Sequence, residues 1–398
     1  MCEEDRELFN LNDNATISFF EKLEAFNGVY TRIHRYLCLA LCTVGVCLNL
    51  LHFYVLSRRA MRVFVINALL SAMCVCDVIT MTSYLVYILR FRIFDTSPEF
   101  MGYSYPWLVF LIAHVTCSIA LHTSSLYLSV VMAYIRWTAL DRLDAKWINH
   151  RALRHIFAST AIAVSIISVP TVMVHKIVSV QSILGLNDTT AQTRRLQGLY
   201  TVTLDETKFN GCALFRINLW LTGIFFKALP CFLILWFTIA LIFKLCEMSE
   251  KRKILRGLKT VDGQCKILLT PDAQVRNRKL NAVSIDRTTL MLIIMLVVFL
   301  CTELPQGLLA VLSAIYPTHV HTMIYVNVGE VLDLLSLINC LTSFVVYCVM
   351  STTYRATVKS IFNRKRHSRA MNTQLLLHSF NNNMNNNNIN NRMVSSRS

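Results

Sequence analysis

Apolar residues along the 398-residue chain gather into seven long runs, at about 36–56, 63–87, 105–134, 155–174, 215–243, 288–316 and 323–350, separated by shorter polar segments. Each run is long enough to cross a ~30 Å hydrocarbon core as a helix rising 1.5 Å per residue. None shows the alternating ten-residue pattern of a membrane barrel, the other structure that satisfies backbone groups in lipid. The pattern therefore predicts an all-α membrane protein, a seven-transmembrane helix bundle. It divides the chain into an N-terminal segment (1–35), a seven-span domain (36–350) and a tail (351–398). No internal repeat is visible, which weighs against a transporter built from inverted repeats.

Composition sharpens this picture. Hydrophobic residues make up 55% and charged residues 16% of the chain, yet 39 Lys and Arg stand against 23 Asp and Glu, for a formal net charge of +16. With the N-terminus outside, the three inner loops and the tail hold more than two thirds of the bases, while the outer segments are slightly acidic. Excess Lys and Arg marks the cytoplasmic side. The basic surplus is thus a sign of topology, with a surface for anionic lipid or a cytoplasmic partner, and not the footprint of a nucleic-acid binder. Two sequons, at Asn14 and Asn187, both fall on the expected outer side and are candidate glycosylation sites. Residues 1–30 lack the continuous apolar core of a signal peptide, so the first span is expected to act as the insertion signal. A multi-pass plasma-membrane protein with an extracellular N-terminal segment is expected. The Asn-rich tract 381–391 reads as a disordered cytoplasmic tail.

Ionisable groups inside spans are costly and by default mark function. Here they are Asp77 in span two, Lys227 in span five, Glu303 in span six, and Glu330 and Asp333 in span seven, joined by His114 and His122 in span three. Glu330 and Asp333, three residues apart, share a helix face. An unpaired carboxylate at Glu303 would be protonated or strongly destabilising. No catalytic constellation is present: the chain has no Gly-rich phosphate loop and no Cys-x-x-Cys pair. His319 and His321 are too sparse for a metal site by themselves. The chain is therefore not expected to be an enzyme. A seven-helix transporter using Lys227, Glu303 and Asp333 as a relay is the alternative to a receptor.

Motifs in the core select between these. Span one has Asn49, span two Asn67 and Asp77, and span three ends in Ile135-Arg136-Trp137. Span five has Pro230, span six Phe299 and Pro305, and span seven Ser343-Phe344-Val345-Val346-Tyr347, followed by Tyr354-Arg355. In order and placement these resemble the rhodopsin-like (class A) G-protein-coupled receptors over about 36–360, with a short cytoplasmic amphipathic helix eight after span seven. Glu303 stands where that family has Trp. With Lys227-Ala228-Leu229-Pro230, His122-Thr123-Ser124 and the run from Glu330 to Asn339, the chain looks like the invertebrate myosuppressin and FMRFamide-related neuropeptide receptors. The nematode class W chemosensory receptors share much of the pattern and are the runner-up.

This resemblance implies an amidated neuropeptide agonist ending in Arg-Phe and a heterotrimeric G protein of the Gi/o class, with arrestin as a further partner. Asp333, Glu330, His114, Trp107 and Trp220 are the candidate ligand-binding residues, with a carboxylate holding the agonist Arg. His122, Lys227, Glu303, Phe299 and Pro305 would form the core switch, or a static polar network, with His122, Lys227 and Glu303 at a similar depth so that either Lys227 or His122 could pair with the carboxylate. Asp77, Ser125, Asn339 and Asn49 match a cation pocket that could hold a sodium ion as an allosteric ligand; no other cofactor is implied. At the cytoplasmic end, Arg136, Tyr347 and Asp286 would serve G-protein coupling. The family ties its second outer loop to span three by a disulfide. Cys212 could meet Cys117 only if the loop dips inward, and pairing with Cys2 or a free thiol stay open.

Overall fold

The structure, a computed structural model, describes residues 8–94, 102–139, 150–184, 198–204, 213–261, 271–361 and 363, with the side chains of 150, 249–289, 291 and 292 outside that description. The chain divides into two compact units, Met1–Met350 and Ser351–Ser398. In the first, helix one is Asn14–Leu56, helix two Val65–Ile93, helix three Tyr105–Ala139 and helix four His150–Met173. Helix five runs from Ala213–Leu221 through Thr222–Ala228 to Leu229–Val261, helix six is Pro271–Ile315 and helix seven Pro317–Met350. Seven helices among the described residues are long and apolar enough to cross a membrane, so the architecture is the seven-helix bundle expected from the sequence. In the second unit, residues 352–361 are helical, where the short helix eight is expected.

Helix one shows how the sequence sets the packing. Its buried residues His34, Cys38, Cys42, Gly45, Asn49, His52 and Val55 recur every three or four positions, which is one face of a helix. Small and polar side chains dominate that stripe. They let helices approach closely in lipid, where apolar burial gives no drive to associate. The stripe faces helices two and seven and joins Met81, Tyr84, Leu337 and Cys340 in a core cluster. The first buried residue is His34, near the expected start of the span, but the helix itself begins at Asn14 and its early turns are largely exposed. Helices five and six likewise run past their apolar spans, to Val261 and from Pro271.

Two features depart from regular helices. The first is a β-hairpin after helix four: β1 (His175–Ser179) pairs antiparallel with β2 (Tyr200–Leu204), from His175 opposite Leu204 to Ser179 opposite Tyr200. Tyr103 extends it, exchanging two 2.8 Å backbone hydrogen bonds with Tyr200, which anchors the hairpin to the start of helix three. The second is a set of π-helical turns, Leu89–Ile93 in helix two, Thr222–Ala228 in helix five and Pro317–Tyr325 in helix seven.

The turn in helix five has a visible cause. Pro230 has no N–H to donate. In an i→i−5 ladder its acceptor would be the Phe225 carbonyl, and the Tyr127 hydroxyl of helix three donates to that oxygen instead, at 2.7 Å. Within the turn, Gly223 lies against helix six; a Cβ there would come within 3.1 Å of the Ala310 carbonyl oxygen, so a side chain would push the two helices apart. Tyr127→Phe is expected to strand the Phe225 carbonyl and cost about 1–3 kcal/mol of stability. Thermal unfolding of the detergent-solubilised protein checks this, and an unchanged midpoint rules the hydroxyl out as the cap.

Candidate functional site

The π turn carries Lys227 into the centre of the bundle. There its Nζ lies 3.0 Å from Glu303 Oε2 and 2.6 Å from Gln306 Oε1. Glu303 has 0% exposure, and its other oxygen is 2.9 Å from His122 Nε2. Asn339 Nδ2 donates to that same oxygen at 3.4 Å. One buried carboxylate therefore meets side chains from helices three, five and seven as well as its own helix six. Both pairings left open by the sequence, with Lys227 and with His122, are present together. They offset the cost of placing a charge in a low-dielectric interior. Phe299 lies one turn below in a packed cluster with Leu126, Val130, Ile234 and Leu296, and Pro305 sits within helix six without ending it.

Gln306 was not singled out from the sequence, although it stands three residues from Glu303 on the same face of helix six. Its Nε2 donates to the Leu332 carbonyl and, at 2.6 Å, to Ser336 Oγ, both on helix seven. The signal that could have found it is this i, i+3 spacing from a buried acid.

Beside the cluster, toward the hairpin, lies a cavity of about 280 Å³. Its lining includes Lys227, His122, Gln306 and Asp333, and the aromatic residues Tyr84, Phe215 and Tyr325. Asp333 is deep in the bundle yet exposed to this cavity. Its Oδ2 accepts from the Tyr84 hydroxyl at 3.3 Å, and His34 Nε2 lies 3.2 Å from that hydroxyl. If the Tyr84 proton goes to Asp333, the imidazole must donate to the phenolic oxygen, so helices one and two orient the carboxylate from behind. The hairpin contributes His175, whose Nδ1 donates to the Thr171 carbonyl at 2.6 Å. Thr171 also donates to Asn218 Oδ1 at 2.8 Å, joining helices four and five at the wall.

The other ligand residues expected from the sequence are placed differently. Glu330 Oε1 is held 2.8 Å from the Arg92 guanidinium, whose Nε also donates to the Tyr87 hydroxyl at 3.1 Å. Of the two acids on that face, Asp333 alone among them lines the cavity. His114 is buried against helix two, near Ser83 Oγ at 3.1 Å and stacked on Tyr87, so it does not line the cavity. Trp107 packs edge-on to Phe91, with the Arg90 guanidinium 5.1 Å above its ring. Trp220 is 42% exposed on the outer face of helix five. The physical reason is shared: in helices apolar all round, the sequence does not say which face turns inward.

Deeper, a cavity of about 20 Å³ is lined by Asp77, Ser125, Ser129, Asn339 and Cys340. That is room for one water-sized occupant. Ser125 Oγ and Asn339 Oδ1 are buried there, and Asp77 and Cys340 complete the wall. These oxygens suit a water or a small hard cation. Asn49 does not line this space; its Nδ2 donates to the Cys340 carbonyl at 3.1 Å.

At the opposite end from the hairpin, Arg136 is half-buried at the foot of helix three, with Tyr347 buried nearby on helix seven. The Tyr347 hydroxyl approaches Asn67 Oδ1 at 3.5 Å. The Asp286 side chain lies outside the described residues, as do Cys2, Cys212 and Asn187. Cys117 carries a free thiol on an exposed face of helix three. Asn14 is exposed at the first turn of helix one.

Two comparisons with known proteins bear on this arrangement. The sequence profile of the serpentine-type seven-transmembrane chemoreceptor family Srw matches residues 36–365. The chain is also 34% identical over 356 residues to the Caenorhabditis elegans protein described as G-protein coupled receptor dmsr-1, a match covering 84% of this chain and 68% of that protein.

Proposed function

The chain belongs to the Srw family of serpentine seven-transmembrane G-protein-coupled receptors, and from that premise we propose that its agonist is an amidated peptide ending in Arg-Phe. The observation that carries this reading is Asp333, an accessible carboxylate inside a cavity whose walls include Tyr84, Phe215 and Tyr325. A guanidinium forms a charge-assisted, bidentate-capable pair with such a carboxylate. The aromatic wall receives the Phe ring, and a neutral amide avoids setting a further carboxylate beside Asp333 and Glu303. At about 280 Å³ the cavity is at the small end of ligand sites, so it takes the terminal residues and leaves the rest of a peptide outside.

The basic loops then face the cytoplasm, the N-terminal segment and hairpin face outward, and the plasma membrane is the site of action. Arg136 and Tyr347 lie at the end that meets the G protein, of the Gi/o class in this reading. A panel of amidated Arg-Phe peptides on cells expressing the receptor, with cAMP as readout, tests it. At least one peptide is expected to lower stimulated cAMP, and its free-acid form to be much weaker. Equal potency of amide and acid, or response only to small non-peptide odorants, would favour the chemosensory reading that the family's description suggests.

A further inference from the structure

We infer that Gln306 is the element through which ligand occupancy at Asp333 reaches the Lys227–Glu303 pair. The inference rests on the receptor reading above and names the residue that would carry its signal. Gln306 has both halves of its amide engaged in opposite directions. The Nε2 end holds helix seven at the Leu332 carbonyl and at Ser336 Oγ (2.6 Å). The Oε1 end holds Lys227 Nζ of helix five at 2.6 Å. Leu332 immediately precedes Asp333, so a displacement of helix seven by a bound cation moves the carbonyl that Gln306 grips. Since the amide is planar and rigid, pulling its nitrogen end tilts its oxygen end. Lys227, shared between Gln306 Oε1 and Glu303 Oε2, then changes its balance between the two acceptors.

Glu303 connects in turn to His122 of helix three and Asn339 of helix seven, the latter on the wall of the deep cavity. The path is thus a continuous chain of hydrogen bonds from the ligand level to the middle of the bundle. Its directionality needs a residue that donates on one side and accepts on the other. A carboxylate or a lysine at 306 could do one of these and not both.

The test separates affinity from efficacy. In Gln306→Leu the maximal cAMP response, read at saturating peptide because Gln306 also lines the cavity and its loss can shift Kd, is expected to fall at least about fivefold, the low end of a typical coupling free energy. Gln306→Glu keeps an acceptor for Lys227 and loses both donor bonds, so it is expected to behave like Leu. If the amide serves only as an acceptor for Lys227, Glu rescues the response and the inference is overturned. Ser336→Ala, which removes one anchor and leaves Lys227 untouched, is expected to give a smaller fall of the same sign; an unchanged response there also counts against it.

Failure of the ligand reading is distinguishable. If no amidated peptide acts on the unmodified receptor, basal signalling still reports the link. Gln306→Leu and Lys227→Met are each expected to raise basal G-protein activation about twofold, with no further rise in the double variant, because both break one shared bond. Additive effects overturn the coupling whatever the agonist proves to be, and so do single variants with unaltered basal activity at normal surface expression.

Discussion

Glu303→Ala is expected to destabilise the receptor by about 3–5 kcal/mol, the usual cost of removing one partner from a buried ion pair. Glu303 has 0% exposure and faces Lys227 Nζ at 3.0 Å and His122 Nε2 at 2.9 Å. Its loss leaves an ammonium in the middle of the bundle with Gln306 as its remaining acceptor. The reverse change is milder, since Lys227→Met leaves Glu303 still opposite His122 and Asn339. Replacing both Glu303 and Lys227 by Met removes the stranded charge and should recover most of the loss, because apolar replacement of a whole buried pair is often neutral or better. Thermal unfolding in detergent, without ligand, orders the variants: Glu303→Ala lowest, Lys227→Met intermediate, the double replacement nearest the unmodified protein. A double variant no better than Glu303→Ala would show that the carboxylate's contacts to His122 and Asn339 matter more than its pairing with Lys227.

Asp333→Asn is expected to lower agonist potency about 30-fold or more, since truncating a buried charge pair costs at least ~2 kcal/mol. The substitution keeps the shape of the side chain and an oxygen able to accept from Tyr84, so the bundle should assemble and reach the cell surface. A peptide in which citrulline replaces the Arg gives the matching deletion on the ligand side. Against the unmodified receptor it should be weakened to a similar degree, and against Asp333→Asn it should lose little more. Both peptides losing equally on Asp333→Asn would mean that the carboxylate supports the cavity without touching the guanidinium. Glu330 makes a useful contrast. Held by Arg92 at 2.8 Å, it should respond to neutralisation through stability more than through recognition of the peptide's charge.

Much of this was legible in the sequence, and the gaps have physical causes. Seven spans follow from hydropathy because a helix in lipid must satisfy its own backbone. Lys227, Glu303 and Asp333 stood out because charge in an apolar run is rare. What the sequence could not supply was the rotation of each helix. Helix three has polar groups on several sides, so His114 and His122 look equivalent in one dimension, yet one stacks on Tyr87 and the other meets Glu303. The diversion of Glu330 depends on Arg92 from another helix, and no local pattern announces it. The hairpin escaped notice because His175–Ser179 is too short for its β-branched residues to stand out between two apolar spans. The widened turn at Thr222–Ala228 depends on Tyr127 from helix three, a tertiary contact invisible to propensity.

The three widened turns, Leu89–Ile93, Thr222–Ala228 and Pro317–Tyr325, all lie toward the hairpin end, while the stretches nearer Arg136 stay regular. A π turn accommodates one extra residue without unwinding the helix on either side. At Thr222–Ala228, which has regular helix on both sides, gain or loss of a single codon would rotate Ala213–Leu221 relative to Leu229–Val261. The wall that Phe215 and Asn218 give the cavity would thereby be re-aimed while Leu229–Val261 kept its register.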